Sequence, residues 1–326
     1  LGAMVLNLSA NILGLGNAAT PFGIRAMQEL NRLNPQPGVA SPAMILFLAL
    51  NTASITILPT KVIALRAASG SADPAAVIPT TLFATLAATL AGVAVAKLWP
   101  RRPVACEFAS PPLSPPPETG APLPEVVPNC PLWGSVLALG LVVAIVPLTL
   151  AYGRQVSPWV LPGLVVAMLG FGLARGVRVY EVFVEGAREG FEVAVRIIPY
   201  LVAILVAIGM LRASGAMDLL ITPLGRLTAP AGLPPEALTM AVMRTLSGSG
   251  SYGLLADILK NPATGPDTYI GLLASTIYGS TETTFYVLAV YFGAVGVRDF
   301  RHAVWVGLLA DLAALVAAVA ICGWKA

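Results

Sequence analysis

The chain has 326 residues, of which 57% are hydrophobic and only 11% charged, with a mean hydropathy of +0.82 and a formal charge of +3. Soluble domains carry about 25% charged residues, so this composition excludes one and indicates a polytopic membrane protein whose first partner is the lipid bilayer. The small charge, with arginines scattered rather than striped, excludes nucleic acid as a partner.

Residues 3–33 read as an apolar segment interrupted by Asn7, Ser9, Asn11, Gly14, Gly16 and Asn17, ending in a helix at 24–34. A helix over 40–66, broken around Asn51–Pro59, precedes an unbroken spanning helix over 75–98. Residues 100–131 hold eleven prolines and predict an extended tether, with PxxP docking as the alternative. Two spans follow at 132–152 and 157–174. Residues 180–198 are amphipathic: Tyr180, Phe183, Phe191 and Val195 share one face, and Glu181, Glu185, Glu192 and Arg196 share the other. That helix is expected in the membrane interface or beneath the bundle. A span at 198–213, a segment over 235–260 broken at "LSGSGSYG" (246–253), a second broken helix at 268–296 and a last helix at 300–323 complete the chain.

Residues 44–94 align without a gap onto 270–320, 226 positions later. Thirteen of the 51 pairs are identical, including Ser54/Ser280, Gly70/Gly296 and Asp73/Asp299; six of them are alanine, so placement carries the argument. In both copies an apolar stretch is broken by a polar cluster, "LNTASITILPT" (50–60) and "IYGSTETTF" (277–285), then reaches a Gly-bearing turn and a long Ala/Leu/Val helix. Paired segments interrupted at corresponding places point to a transporter-type binding site. The second copy has an amphipathic and an apolar helix ahead of it and the first has none, which suggests that the front of the first is missing. Basic residues at Lys97, Arg101, Arg102, Arg175 and Arg178 mark the linker side as cytoplasmic. If 235–260 crosses the membrane the copies run parallel, and if it returns as a hairpin they are inverted.

Broken helices survive in a bilayer only when buried in protein or lining a wet cavity, because an unpaired backbone group costs several kcal/mol there. The breaks carry hydroxyl and amide side chains. Asn11, Asn51, Ser54, Ser247, Ser249, Ser280, Thr281 and Thr283, with the carboxylate of Glu282, are the candidate solute-binding residues. Such groups suit a polar organic solute or a monovalent cation, although Ser and Thr also bond their own helix backbone. Glu282, Asp311 and Arg244 are ionisable groups in apolar segments and functional candidates by default. A structural pair of Arg244 with Glu282 or Asp311 is the competing account.

Enzymatic chemistry is not expected. There is no HExxH, the SGSG run lacks a GxSxG elbow, and the single histidine, His302, sits peripherally beside Arg301. Cys106, Cys130 and Cys322 form no metal-ligand pattern, and no cofactor or metal is expected.

"MVLNLSANILGLGNAATPFGIRAMQELNRLNP" with "LALNTASITILPTKVIALRAASGSADP" resembles the C-terminal part of spore maturation protein A. "EGAREGFEVAVRIIPYLVAILVAIGMLRASGAMDLLI", "LSGSG" and "GSTETTFYVLAVYFGAVGVRDFRHA" resemble spore maturation protein B. The chain is thus similar to fused members of the nucleoside-recognition (Gate) domain family, a domain shared with concentrative nucleoside transporters and ferrous-iron permeases. The resemblance implies an all-α, multi-pass bundle of the bacterial inner membrane. It implies two Gate-type repeats with broken or re-entrant helices, at 1–99 and 132–326, joined by the 100–131 linker, around a path for a small polar solute. A missing N-terminal segment or a homo-oligomer would complete the first repeat. A non-transporting membrane scaffold or assembly factor is the alternative.

Overall fold

The computed structural model describes residues 2–14, 16–99, 163 and 165–325. The proline-rich segment, the predicted span 132–152, Cys106 and Cys130 lie outside them. Among the described residues the protein is all-helical, with an isolated parallel bridge between Val39 and Asp299.

Helix α1 (Gly2–Ile12) leads through a 3-10 turn into α2 (Thr20–Arg32), which opens on Pro21 in its first turn. Helix α3 (Pro42–Thr52) is capped by Ser41, whose hydroxyl accepts from Met44 N–H at 3.3 Å. The chain then runs without helix to α4 (Thr60–Ala68) and on to α5 (Val77–Leu98). Helices α6 (Val165–Ala174), α7 (Val179–Ala213) and α8 (Ala216–Thr228) follow. Helix α9 (Pro235–Leu246) stops at Ser247, which caps α10 (Gly248–Lys260) by accepting from Gly250 N–H at 3.0 Å. Helix α11 (Tyr269–Ser280), capped by Thr268, is followed by α12 (Thr284–Val287), a π-helical stretch (Leu288–Phe292) and α13 (Ala303–Lys325).

The region 180–213, expected as an amphipathic helix followed by a separate span, is one continuous helix, α7, that runs through Pro199. A proline removes one hydrogen bond, whereas a full stop in an apolar stretch would strand several backbone groups. The helix therefore continues.

Among the described residues two helices are long and apolar enough to cross a membrane, Pro74–Leu98 and Ala303–Trp324. They are counterparts in the 226-residue offset, and they pack against each other. Trp99 stacks on His302 (ring centroids 5.4 Å), a Cβ on Gly92 would sit 3.4 Å from Ala310 Cβ, and Ala88 clusters with Ala314. Residue number rises along one helix as it falls along the other, so α5 and α13 run antiparallel, and the equivalent residues Ala88 and Ala314 meet at the crossing. The seam is built from Ala and Gly because close backbone approach is what makes apolar helices associate in lipid.

Element order follows the same offset: α3 matches α11, α4 matches α12 with its π-helical extension, and α5 matches α13. The turns match in detail. Gly70 and Gly296 both adopt positive φ (77° and 69°), which a side chain resists. Asp73 accepts from Ala75 N–H at 3.1 Å, and Asp299 accepts from Arg301 N–H at 2.8 Å.

Each half is also stapled to the other at matching places. Gly38 C=O accepts from the N–H groups of Arg298 (2.8 Å) and Asp299 (3.0 Å), and Ala40 N–H donates to Asp299 C=O at 2.9 Å. At the equivalent join the buried Arg66 donates to Pro266 C=O (2.6 Å) and Asp73 C=O (3.2 Å) and pairs with Asp267 (3.3 Å). Partial burial alone would raise the Asp267 carboxyl. The N–H of Ala72, the Ser71 hydroxyl and the Arg66 charge outweigh it and hold the group below its ordinary value.

Candidate functional site

The three helix breaks converge. In the first, Ala53–Pro59, Ser54 and Ile55 both adopt positive φ (61° and 46°), an expensive conformation for a β-branched residue. The break is pinned from α5: Thr85 Oγ1 donates to Ala53 C=O at 2.5 Å and accepts from Thr56 N–H at 3.3 Å, while Ser54 and Thr56 hydroxyls pair at 2.7 Å. In the second break, Thr281–Thr283, Glu282 N–H donates to Thr52 C=O at 2.8 Å, so a backbone group freed by one break is satisfied by the other. The third break, at Ser247, approaches the second because Gly248 has no side chain; a Cβ there would lie 3.0 Å from Thr283 Oγ1.

Arg244, at the end of α9, closes the second break. Its Nε donates to Thr281 C=O at 2.8 Å and its Nη2 donates to the same oxygen. Nη2 also lies 3.4 Å from the Glu282 carboxylate, and the guanidinium sits 4.4 Å over the Tyr278 ring. A cation at the bare carbonyl end of α11 is the favourable placement. Of the two pairings considered from sequence, the ion pair is with Glu282. Asp311, on α13, instead accepts from the Thr284 hydroxyl at 2.6 Å.

On the opposite side Asn51 is the hub. Its Oδ1 accepts from Asn11 Nδ2 (3.0 Å) and from the Tyr291 hydroxyl (3.2 Å), and its Nδ2 donates to Phe47 C=O (2.9 Å). Asn7 Nδ2 reaches Tyr291 at 3.3 Å, and Thr20 pairs with Tyr286 at 3.2 Å. The amide cluster of the first copy is thereby tied to the π-helical stretch of the second.

Asn11, Asn51, Ser54, Ser247, Ser280, Thr281 and Thr283 are buried, Glu282 is half-buried and Ser249 is exposed, 3.4 Å from Ser247 Oγ. The structure therefore gathers all of these except Ser249 around the breaks. Thr85, Tyr278, Tyr286 and Tyr291 join them and were not singled out from sequence. The tyrosines had a usable signal: they sit inside apolar segments rather than at the membrane interfaces where Tyr concentrates. Thr52 Oγ1, Thr283 Oγ1 and Asp311 Oδ1 are buried without a hydrogen-bond partner. Between α9, α11 and α13 lies a cavity of about 210 Å³ whose polar wall is Arg244, Thr245, Ser280, Thr281 and Asp311.

Interrupted apolar helices whose free backbone groups and polar side chains meet in the interior define an all-helical membrane protein. Residues 194–298 match the Gate family model, described as nucleoside recognition, which spans the second and third breaks. The chain is 45% identical over 161 residues to spore maturation protein B of Bacillus subtilis (strain 168), covering 49% of this chain and 89% of that protein. It is 44% identical over 95 residues to spore maturation protein A of the same organism, covering 29% of this chain and 48% of that protein, about half its length. The chain belongs to the spore maturation protein family, as a Gate-domain membrane protein homologous to the B and A proteins in different parts. No solved structure matches it.

Proposed function

We propose that the protein binds a small polar solute where the breaks meet and moves it across the bacterial inner membrane. In this reading the two halves, 1–99 and 132–326 joined by the 100–131 linker, are Gate-type modules of opposite orientation, with α3–α4 and α11–α12 as re-entrant or broken pairs. The antiparallel packing of α5 and α13 supports the opposite orientation. The protein acts without catalysis: the polar groups at the breaks bind and release rather than react. The nucleoside recognition named for the Gate family makes a nucleoside-like solute the first class to test.

The single observation that carries this reading is the hydrogen bond from Glu282 N–H to Thr52 C=O, 2.8 Å, which joins the breaks of the two halves. Movement of one half against the other exchanges that bond and exposes Glu282, Thr52 and Thr283 to a solute. Buried polar atoms without partners cost about 1–3 kcal/mol each, and a hydrogen-bonding solute offsets that cost at Thr52 and Thr283.

The test is uptake of a labelled nucleoside panel, with uridine first, by proteoliposomes holding the full chain. Glu282→Gln keeps the side chain's shape and removes the charge. Uptake should fall at least about tenfold, the loss of a charge-assisted interaction of about 1.5–3 kcal/mol. Unchanged uptake in a normally inserted variant removes Glu282 from the mechanism. A membrane scaffold would instead tolerate alanine at the breaks and fail on deletion of 177–198 or 100–131.

A further inference from the structure

The internal offset provides a comparison within the chain. Position 56 of the first half corresponds to 282 in the second, and position 85 to 311. The first half has Thr56 and Thr85, whose contact (Thr56 N–H to Thr85 Oγ1, 3.3 Å) pins its break with hydroxyl chemistry alone. The second half has carboxylates at both positions, Glu282 and Asp311. Pinning a break therefore needs only a hydroxyl, and the carboxylates of the second half exceed that structural requirement.

Charge decides what the excess is for. Arg244 offsets Glu282 through their 3.4 Å contact, whereas Asp311 takes one hydrogen bond from Thr284, and its Oδ1 is buried without a partner. Arg244 lines the same cavity as Asp311, so one cation faces two carboxylates and a single negative charge is left over. A carboxylate buried in an apolar segment without a full counter-charge is costly, and it either takes up a proton or draws in a positive partner. Asp311 lines the cavity of about 210 Å³, smaller than the ~300–1,000 Å³ of a drug-sized site, whose remaining wall is mostly hydrocarbon from Leu238, Val242, Leu308 and Leu315.

We propose that this cavity is a binding site for a small organic monocation, with its ammonium group on Asp311 and its alkyl portion against α9 and α13. A bare inorganic ion suits it less, because hard cations take about six or more oxygen ligands and this wall offers few beyond Asp311, Ser280, Thr281 and Thr245. The proposal rests on the break region being a solute site and adds a cationic ligand class beside the nucleoside-like one.

The test is the thermal unfolding midpoint of the purified full chain with n-butylammonium chloride or with NaCl at equal ionic strength. The midpoint of the wild type should rise saturably by a few degrees with the amine and not with NaCl. Asp311→Thr, which copies the first half, and Asp311→Asn, which keeps the acceptor for Thr284, should hold their own midpoints and lose the response. No rise in the wild type, an equal rise with NaCl, or an equal rise in whichever variant folds would overturn the site. Glu282-dependent nucleoside uptake alongside a missing amine response would sink only this assignment. An amine response without uptake of any solute would sink only the transport reading.

Discussion

Replacing Arg244 with methionine is expected to lower stability by about 3 kcal/mol, the low end for breaking a buried ion pair because Glu282 keeps some exposure. Methionine fills the volume and keeps a contact with the Tyr278 ring, so packing is largely preserved. What is lost is polar: Thr281 C=O loses both of its donors, Glu282 loses its counter-charge, and α11 loses the cation at its carbonyl end. Arg244→Lys should fall between, since an ammonium keeps the charge but cannot present a two-nitrogen fork or stack on Tyr278 in the same way. Denaturant or thermal unfolding in mild detergent reads the difference. A methionine variant within about 0.5 kcal/mol of the parent, the range of inert surface changes, would mean that Arg244 does not close the break.

Asn51→Leu should cost a similar amount, about 3 kcal/mol, for a different reason. The leucine leaves the Asn11 amide and the Tyr291 hydroxyl without their shared acceptor, and each stranded group costs about 1–3 kcal/mol. This predicts a recovery. Removing the stranded groups as well, in Asn51→Leu combined with Asn11→Leu and Tyr291→Phe, should restore much of the loss, because apolar replacement of all partners can be nearly neutral. If the triple variant is no more stable than the single one, Asn51 matters through packing and not as the hub of a polar network.

Much of this architecture was legible in the chain. The offset of 226 residues placed α5 against α13 as counterparts, and the polar clusters at 50–60 and 277–285 marked where α3 and α11 stop. Local chemistry encodes such features: a hydroxyl cap before α3 and α11, glycines with positive φ at 70 and 296, and an Asp at 73 and 299 that accepts from the N–H two residues on. Long-range partnership was not legible. Thr85 looks like any hydroxyl in an alanine-rich span until α5 is laid against the first break. The choice of Glu282 over Asp311 as the partner of Arg244 depends on where α9 meets α11. The continuity of α7 was hidden because Pro199 reads as a boundary, and only the apolar surroundings make a boundary costlier than the missing bond. The direction of the two halves was left open by the balance of basic residues, and the contacts of Trp99 with His302 and Gly92 with Ala310 give α5 and α13 opposite senses.

Solute passage requires the breaks to open onto water at bilayer depth, and substituted-cysteine labelling reads that opening. In full chain with Cys106, Cys130 and Cys322 replaced by alanine, single cysteines at Ser54, Ser280 and Val316 would be exposed to a charged, membrane-impermeant thiol reagent. Ser54 and Ser280 are buried at the breaks, whereas Val316 is 62% exposed on the apolar outer face of α13. Cysteines at 54 and 280 should react, faster when solute is turning over, and the one at 316 should stay inert in lipid. Inert cysteines at both breaks in a folded, inserted protein would contradict that opening.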